Sequence, residues 1–135
     1  MIVFDENIHQ ESLMKDVARW YRGKVLSIRD LRPGTFIKDE DIPHLLQRHK
    51  KATFVTINVI DFWRPTLAHA HYSIVCLSIP NDQVGEIPQL LRRLFRLPQF
   101  QTKGARMGKV VLVSKQRIQY YEVNRRSIQT VRWPD

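Results

Sequence analysis

Cysteine is almost missing from this chain. Cys76 is the only one among 135 residues, so no internal disulfide can form, and a reducing, cytoplasmic setting is the natural expectation. Glycine is sparse as well, and Gly104, Gly108 and Lys109 lack the spacing of a phosphate-cradling loop, which sets ATP and dinucleotide binding aside. No apolar run reaches the roughly 20 residues that span a bilayer. The N-terminus enters a strand-like run directly, with no secretory pattern, so no membrane partner is expected. Repeats, low-complexity segments, a zinc ligand set and a Ser/His/Asp signature are also lacking. His69 and His71 alternate, but two histidines without a third ligand are more often surface or packing residues.

Acid is what the C-terminal third lacks. Residues 92–135 hold eleven Lys/Arg against Glu122 and Asp135, and they carry the whole net charge of +9. Residues 1–91 hold eleven of each sign and are neutral. A neutral body with a basic end suits a polyanion, above all nucleic acid. A solvated surface or an acidic protein partner would give the same imbalance. The candidate cations are Arg92, Arg93, Arg96, Lys103, Arg106 and Lys109.

The length fits one domain, taken as residues 1–135 with the basic region 92–135 included. Ile2-Val3-Phe4 reads as a short buried strand. Residues 10–21 read as a helix, with Leu13, Val17 and Trp20 at helical spacing and Gly23 stopping it. A second strand runs through residues 25–28, and Arg32-Pro33-Gly34 marks a loop. Asp39-Glu40-Asp41 opens a helix whose last turn is basic, which matches the helix dipole. Further strands follow at 52–57 and 72–79, with a short helix or loop between them. A helix over 84–97 buries Ile87, Leu90, Leu91 and Leu94. Residues 110–113 and 118–123 read as two short strands, a candidate hairpin. Strands alternating with helices imply an α/β fold, a mostly parallel sheet covered on both faces.

In such sheets ligands bind beyond the carboxyl ends of the strands. Asp5 and Glu6 follow the first strand, Asp30 the second, and Asn58 and Asp61 the third. Asp39, Glu40 and Asp41 begin the helix that leads into the third strand. These groups are expected to converge on one rim, where oxygen ligands suit Mg²⁺ or Mn²⁺. Each acid also has a plain structural role: Asp39 as an N-cap, Glu40 and Asp41 as dipole partners, Asp30 and Asp61 in turns. Asp5 has the weakest alternative, because a carboxylate directly after a buried strand is costly unless paired or metal-bound.

With these residues in view, the chain resembles a PIN-like family of small prokaryotic proteins. The resemblance rests on Ile2-Val3-Phe4-Asp5-Glu6-Asn7, Val25 to Leu31, the loop at Gly34, Asp39-Glu40-Asp41-Ile42, and Phe54 to Asn58 with Asp61-Phe62. It covers about residues 2–123. It implies a three-layer αβα domain ending in a pair of short strands. It also implies a metal-dependent endoribonuclease, possible toxin of a toxin–antitoxin pair, with Asp5, Asp39 and Asp61 as catalytic metal carboxylates and Glu6 and Asn58 as supporting contacts. One departure stands out. Asn58 occupies the place of an aspartate in the family's Thr-x-Asp-x-Asp-Phe pattern, and one extra residue precedes Asp61.

Three functions follow as expectations. The first is the Mg²⁺- or Mn²⁺-dependent ribonuclease. The second is a nucleic-acid-binding or partner-binding module whose catalytic site has weakened. The third is a domain whose basic end docks an acidic antitoxin-like protein or drives homodimerisation, with Trp20, Phe62, Trp63, Phe95, Phe100 and Trp133 as candidate interface aromatics, most of them expected in the core.

Overall fold

The computed structural model describes residues 1–8 and 10–134. Its strands are β1 (Ile2–Phe4), β2 (Val25–Ser27), β3 (Ala52–Thr56), β4 (Tyr72–Leu77), β5 (Lys109–Val113), β6 (Arg117–Glu122) and β7 (Arg125–Arg132). The helices are α1 (Glu11–Ala18), α2 (Ile28–Leu31), α3 (Ile42–Gln47), α4 (Val59–Phe62), α5 (Ile87–Leu94) and α6 (Lys103–Arg106). One seven-stranded sheet has the order β2-β1-β3-β4-β5-β6-β7. The first five strands are parallel, and β6 and β7 are added antiparallel.

Side chains alternate across the sheet with the strand period of two, and this divides the core. On one face Ile2, Phe4, Val55, Val75 and Val111 pack under Leu13 and Val17 of α1 and under Leu90, Leu91 and Leu94 of α5. On the other face Val3, Phe54, Ile74 and Val110 meet Ile42, Leu45 and Leu46 of α3 and Phe62 of α4. Each fully buried aliphatic side chain contributes roughly 1.5–3 kcal/mol, so the long, wholly buried strands β3 and β4 anchor the sheet. Cys76 packs inside β4, where burial pushes its thiol up to about 12.

Several boundaries differ from the sequence reading for physical reasons. Regular helix begins at Ile42 and Ile87, each followed by a proline in the first turn, and not at the acids or at residue 84. Proline needs no hydrogen-bonded N–H there and its φ suits a helix start. The preceding residues, Asp39–Asp41 and Asn81–Glu86, tighten into 3₁₀ turns. Strand β2 stops at Ser27, because Ser27 and Asp30 form a reciprocal capping box that turns Ile28 into α2. The α1 helix ends at Ala18, and the chain then tightens through a Trp20 N–H bond to the Val17 carbonyl.

The expected pair of short C-terminal strands is corrected to a larger antiparallel extension. The hairpin β5–β6 is present, but β7 covers what would have been an open sheet edge. Its residues are mostly exposed, with only Val131 and the neighbouring Trp133 packed against the core, so it has little apolar alternation to read. On the second face the phenol of Tyr121 in β6 lies between the Trp63 carbonyl, at 2.6 Å, and the Thr66 carbonyl, which share its one O–H. Those two contacts hold the connection from α4 to β4 and so fix the base on which Asp61 stands.

Candidate functional site

Strand β1 is flanked by β2 on one side and β3 on the other, so the chain winds outward in both directions from it. A crevice beyond the strand ends is expected at such a switch point. Asp5 is the first residue past β1 and lies there buried, at 6% exposure. Its Oδ1 accepts the Glu6 N–H at 2.8 Å, and its Oδ2 accepts the Thr56 hydroxyl at 2.7 Å. Burial raises the Asp5 pKa, opposed by those two hydrogen bonds, and the Glu6 charge raises it further. Thr56 in turn accepts the Asn58 N–H at 2.9 Å, which ties the end of β3 to the end of β1.

Asn58 links the other acids. Its Nδ2 donates to Asp39 Oδ2 at 3.1 Å and to Asp61 Oδ2 at 2.7 Å. Its Oδ1 accepts the Asp61 N–H at 3.4 Å, which caps α4. Asp39 reaches the site from the 3₁₀ turn before α3 and is not the N-cap expected of it, since Lys38 holds that position for the turn and Asp41 for α3. Its pKa is raised from 3.8 to about 6, first by burial, then by the Asp5 charge, by a hydrogen bond with Asp61, and by the charges of Asp61 and Glu6. Glu6 is offset in part by Arg29 at 3.6 Å, a half-exposed pair of small stabilising value.

The structure therefore brings together Asp5, Glu6, Asp39, Asn58 and Asp61, from three separate segments. Asp30 is not among them; its carboxylate accepts the Ser27 N–H at 2.9 Å in the capping box. His69 and His71 lie apart, their rings 4.9 Å from each other, with His69 stacked on Tyr72.

The residues have the right chemistry for a hard cation, but their present arrangement is closed by a donor. Among the described residues no group of three or more His, Cys, Asp or Glu is placed to hold a metal ion. The Asn58 NH₂ lies between the two carboxylates that a cation would bridge. A half-turn of that amide would instead present Oδ1 to the space between Asp39 and Asp61, an oxygen set suited to Mg²⁺ or Mn²⁺.

A groove of ≈ 700 Å³ opens beside Asp39 and Asp61, lined also by Phe36, Lys38, His44 and Tyr72. Phe36 is 75% exposed and Leu67 74% at its margin. Sequence reasoning missed this groove. The one signal was an aromatic residue in the loop after Gly34.

The candidate cations fall elsewhere. Lys103 lies beside Met1 at the amino ends of the strands, and Arg92 and Arg96 share a cavity with Tyr21 and Arg106. Arg93 stacks over Trp133, 4.5 Å from the ring centre. Arg106 is buried over Phe95 and donates to the Phe100 and Gln101 carbonyls at 2.8 and 3.2 Å. Lys109 donates to the Gln99 carbonyl at 2.8 Å. Arg106 and Lys109 are thus engaged internally, Lys103 stands at the end of the sheet opposite the carboxylates, and Arg93 reaches toward the exit of β5, where the Trp133 indole donates to the Ser114 carbonyl at 2.8 Å. Of the aromatics named for an interface, Phe62, Trp63, Phe95 and Phe100 are buried. Among the described residues no helix is long and apolar enough to cross a membrane. Comparisons of the chain with protein-family models, with curated proteins and with solved structures gave no match. What the chain establishes by itself is an α/β fold with a mostly parallel seven-stranded sheet and a polar, carboxylate-rich cluster at its switch point.

Proposed function

We propose that this chain is a metal-dependent phosphodiesterase acting on RNA, an endoribonuclease of PIN-like type. The observation that carries the reading is the convergence of Asp5, Glu6, Asp39 and Asp61 at the switch point, with the Asp39 carboxyl raised to about 6. Carboxylates crowd in this way at a cost, and such costs concentrate at sites where chemistry needs them. Asp39, Asp61 and the Asn58 carbonyl oxygen would hold Mg²⁺ or Mn²⁺, with Asp5 and Glu6 behind them. The ion would supply charge neutralisation on a phosphoryl oxygen and a more acidic water. Thr56 holds Asp5 in one orientation, and Arg29 holds Glu6. The groove beside Asp39 gives a nucleotide room to lie against Phe36. Cutting of single-stranded RNA in Mg²⁺ or Mn²⁺, absent in EDTA, tests this reading.

One observation favours a second reading, a binding module whose catalytic site has weakened. The Asn58 amide already satisfies Asp39 and Asp61 without any ion. It brings hydrogens where a third carboxylate would bring charge, and so lowers affinity for a cation. Folded protein that retains RNA and leaves it intact in every metal would select this reading.

A further inference from the structure

Six exposed basic residues of this chain, distant in sequence, line two cavities linked through Met1 and Tyr21. At the amino ends of β1, β2 and β3 a cavity of ≈ 590 Å³ is lined by Arg22, Lys24, Lys50 and Lys103 together with the Met1 amino group. A second cavity of ≈ 300 Å³ is lined by Arg92 and Arg96 around Trp20 and Tyr21. One contact links them: the Tyr21 hydroxyl, in the second, accepts a hydrogen bond from the amino group of Met1, in the first, at 3.1 Å. Among the described residues no acid lines either cavity. Among them, too, none of these six side chains forms an ion pair, while Asp16 nearby is taken by Arg19 at 3.3 Å. The Met1 amino group is pushed down to about 6, first by burial and then by the charges of Lys103 and Arg106.

We propose that this rim is a phosphate-backbone track for single-stranded nucleic acid, separate from the carboxylate cluster at the other end of the sheet. Three features select that occupant. The cations are spread over two cavities linked by the Met1–Tyr21 hydrogen bond, which suits several phosphates more than one. The half-exposed rings of Trp20 and Tyr21 stand among them, and aromatic faces between cations suit unpaired bases. The two ends of the sheet have opposite sign, so with no cation bound at the carboxylates a polyanion is drawn to the rim. The track does not depend on hydrolysis at the carboxylates, so it binds in EDTA whether or not the chain is a nuclease.

The test is fluorescence anisotropy of a labelled oligouridylate of about 20 nucleotides, in EDTA, over a range of salt. The variant is Lys24→Gln, Lys50→Gln and Lys103→Gln together, all exposed positions. Each phosphate contact on a single strand adds about 0.7 to the salt slope, so losing three lowers the slope by about 2 and binding at about 0.1 M salt by roughly 100-fold. A control removes equal charge from the far side of the sheet, Arg117→Gln, Arg125→Gln and Arg126→Gln, and is expected to bind within a few-fold of the parent. Equal binding by the track variant and the parent would overturn the proposal. So would an equal loss in the control, which would make net charge the cause, or equal competition by polyglutamate, which would make the rim a general acidic-protein surface.

Discussion

Replacing Asp39 by asparagine should stabilise this protein at neutral pH, and the size of the effect follows from the carboxylate cluster. In the folded chain the Asp39 pKa is raised from 3.8 to about 6 by burial and by Asp5, Asp61 and Glu6. A raised carboxyl pKa means that the folded state holds the proton more tightly than the unfolded state. Its contribution to stability is full below about pH 4 and is lost as pH rises through about 6. At about 1.4 kcal/mol per tenfold the ceiling is near 3 kcal/mol. Asp39 is partly solvated, and screening brings the expected gain to about 1 kcal/mol. The substituted amide would keep an oxygen to accept from Asn58 while removing the charge. For a chain of this length that gain is a rise of about 3–4 °C in melting temperature. Thermal melts in EDTA from pH 4 to 8 read it directly. The parent should lose stability between pH 4 and 6, while Asp39→Asn should lose less there, keeping only the contribution of Asp5, and melt higher at pH 7.5. A variant that melts below the parent at pH 7.5 would refute the account of strain at this site.

The remaining predictions concern the amide, the lashing tyrosine and the core. Asn58→Asp should destabilise the protein by about 1–3 kcal/mol in EDTA, through lost N–H donors and added repulsion. It should also tighten Mn²⁺ binding at least roughly tenfold by titration calorimetry, since it adds a charged ligand; equal affinity in parent and variant counts against Asn58 as a cation ligand. Tyr121→Phe leaves the Trp63 and Thr66 carbonyls without their donor and should cost about 1–3 kcal/mol in urea unfolding. Leu91→Ala empties a fully buried position under α5 and should cost about 2–5 kcal/mol in the same assay.

The fold was legible where hydrophobic periodicity was strong. Thr53–Val55 and Ile74–Leu77 lie buried on both faces, and continuous apolar runs announce such strands. The acidic rim was legible because a parallel sheet places every strand exit at one end. This brought Asp5, Asp39, Asn58 and Asp61 together despite their separation in sequence. Asp30 was not separable from them by sequence, since its role depends on the Ser27 backbone turning at that residue. Strand β7 was hidden because an exposed strand with arginines at both ends, Arg125 and Arg132, carries no apolar alternation. The basic rim was hidden for another reason. Arg22, Lys24 and Lys50 lie in the part of the chain that is neutral overall, and only folding separates them from the acids that balance them. Arg106 shows the converse, a cation in the basic segment that the fold commits to two backbone carbonyls.

The most direct test of the central claim is cleavage of end-labelled single-stranded RNA by the purified protein in Mg²⁺, Mn²⁺ or EDTA, alongside Asp5→Asn. Asparagine can keep the position of Asp5 and its bond with Thr56 while removing the buried charge. The account predicts metal-dependent cutting by the parent and none by the variant, with both proteins folded. Cutting that persists in Asp5→Asn, or that proceeds equally in EDTA, would contradict it.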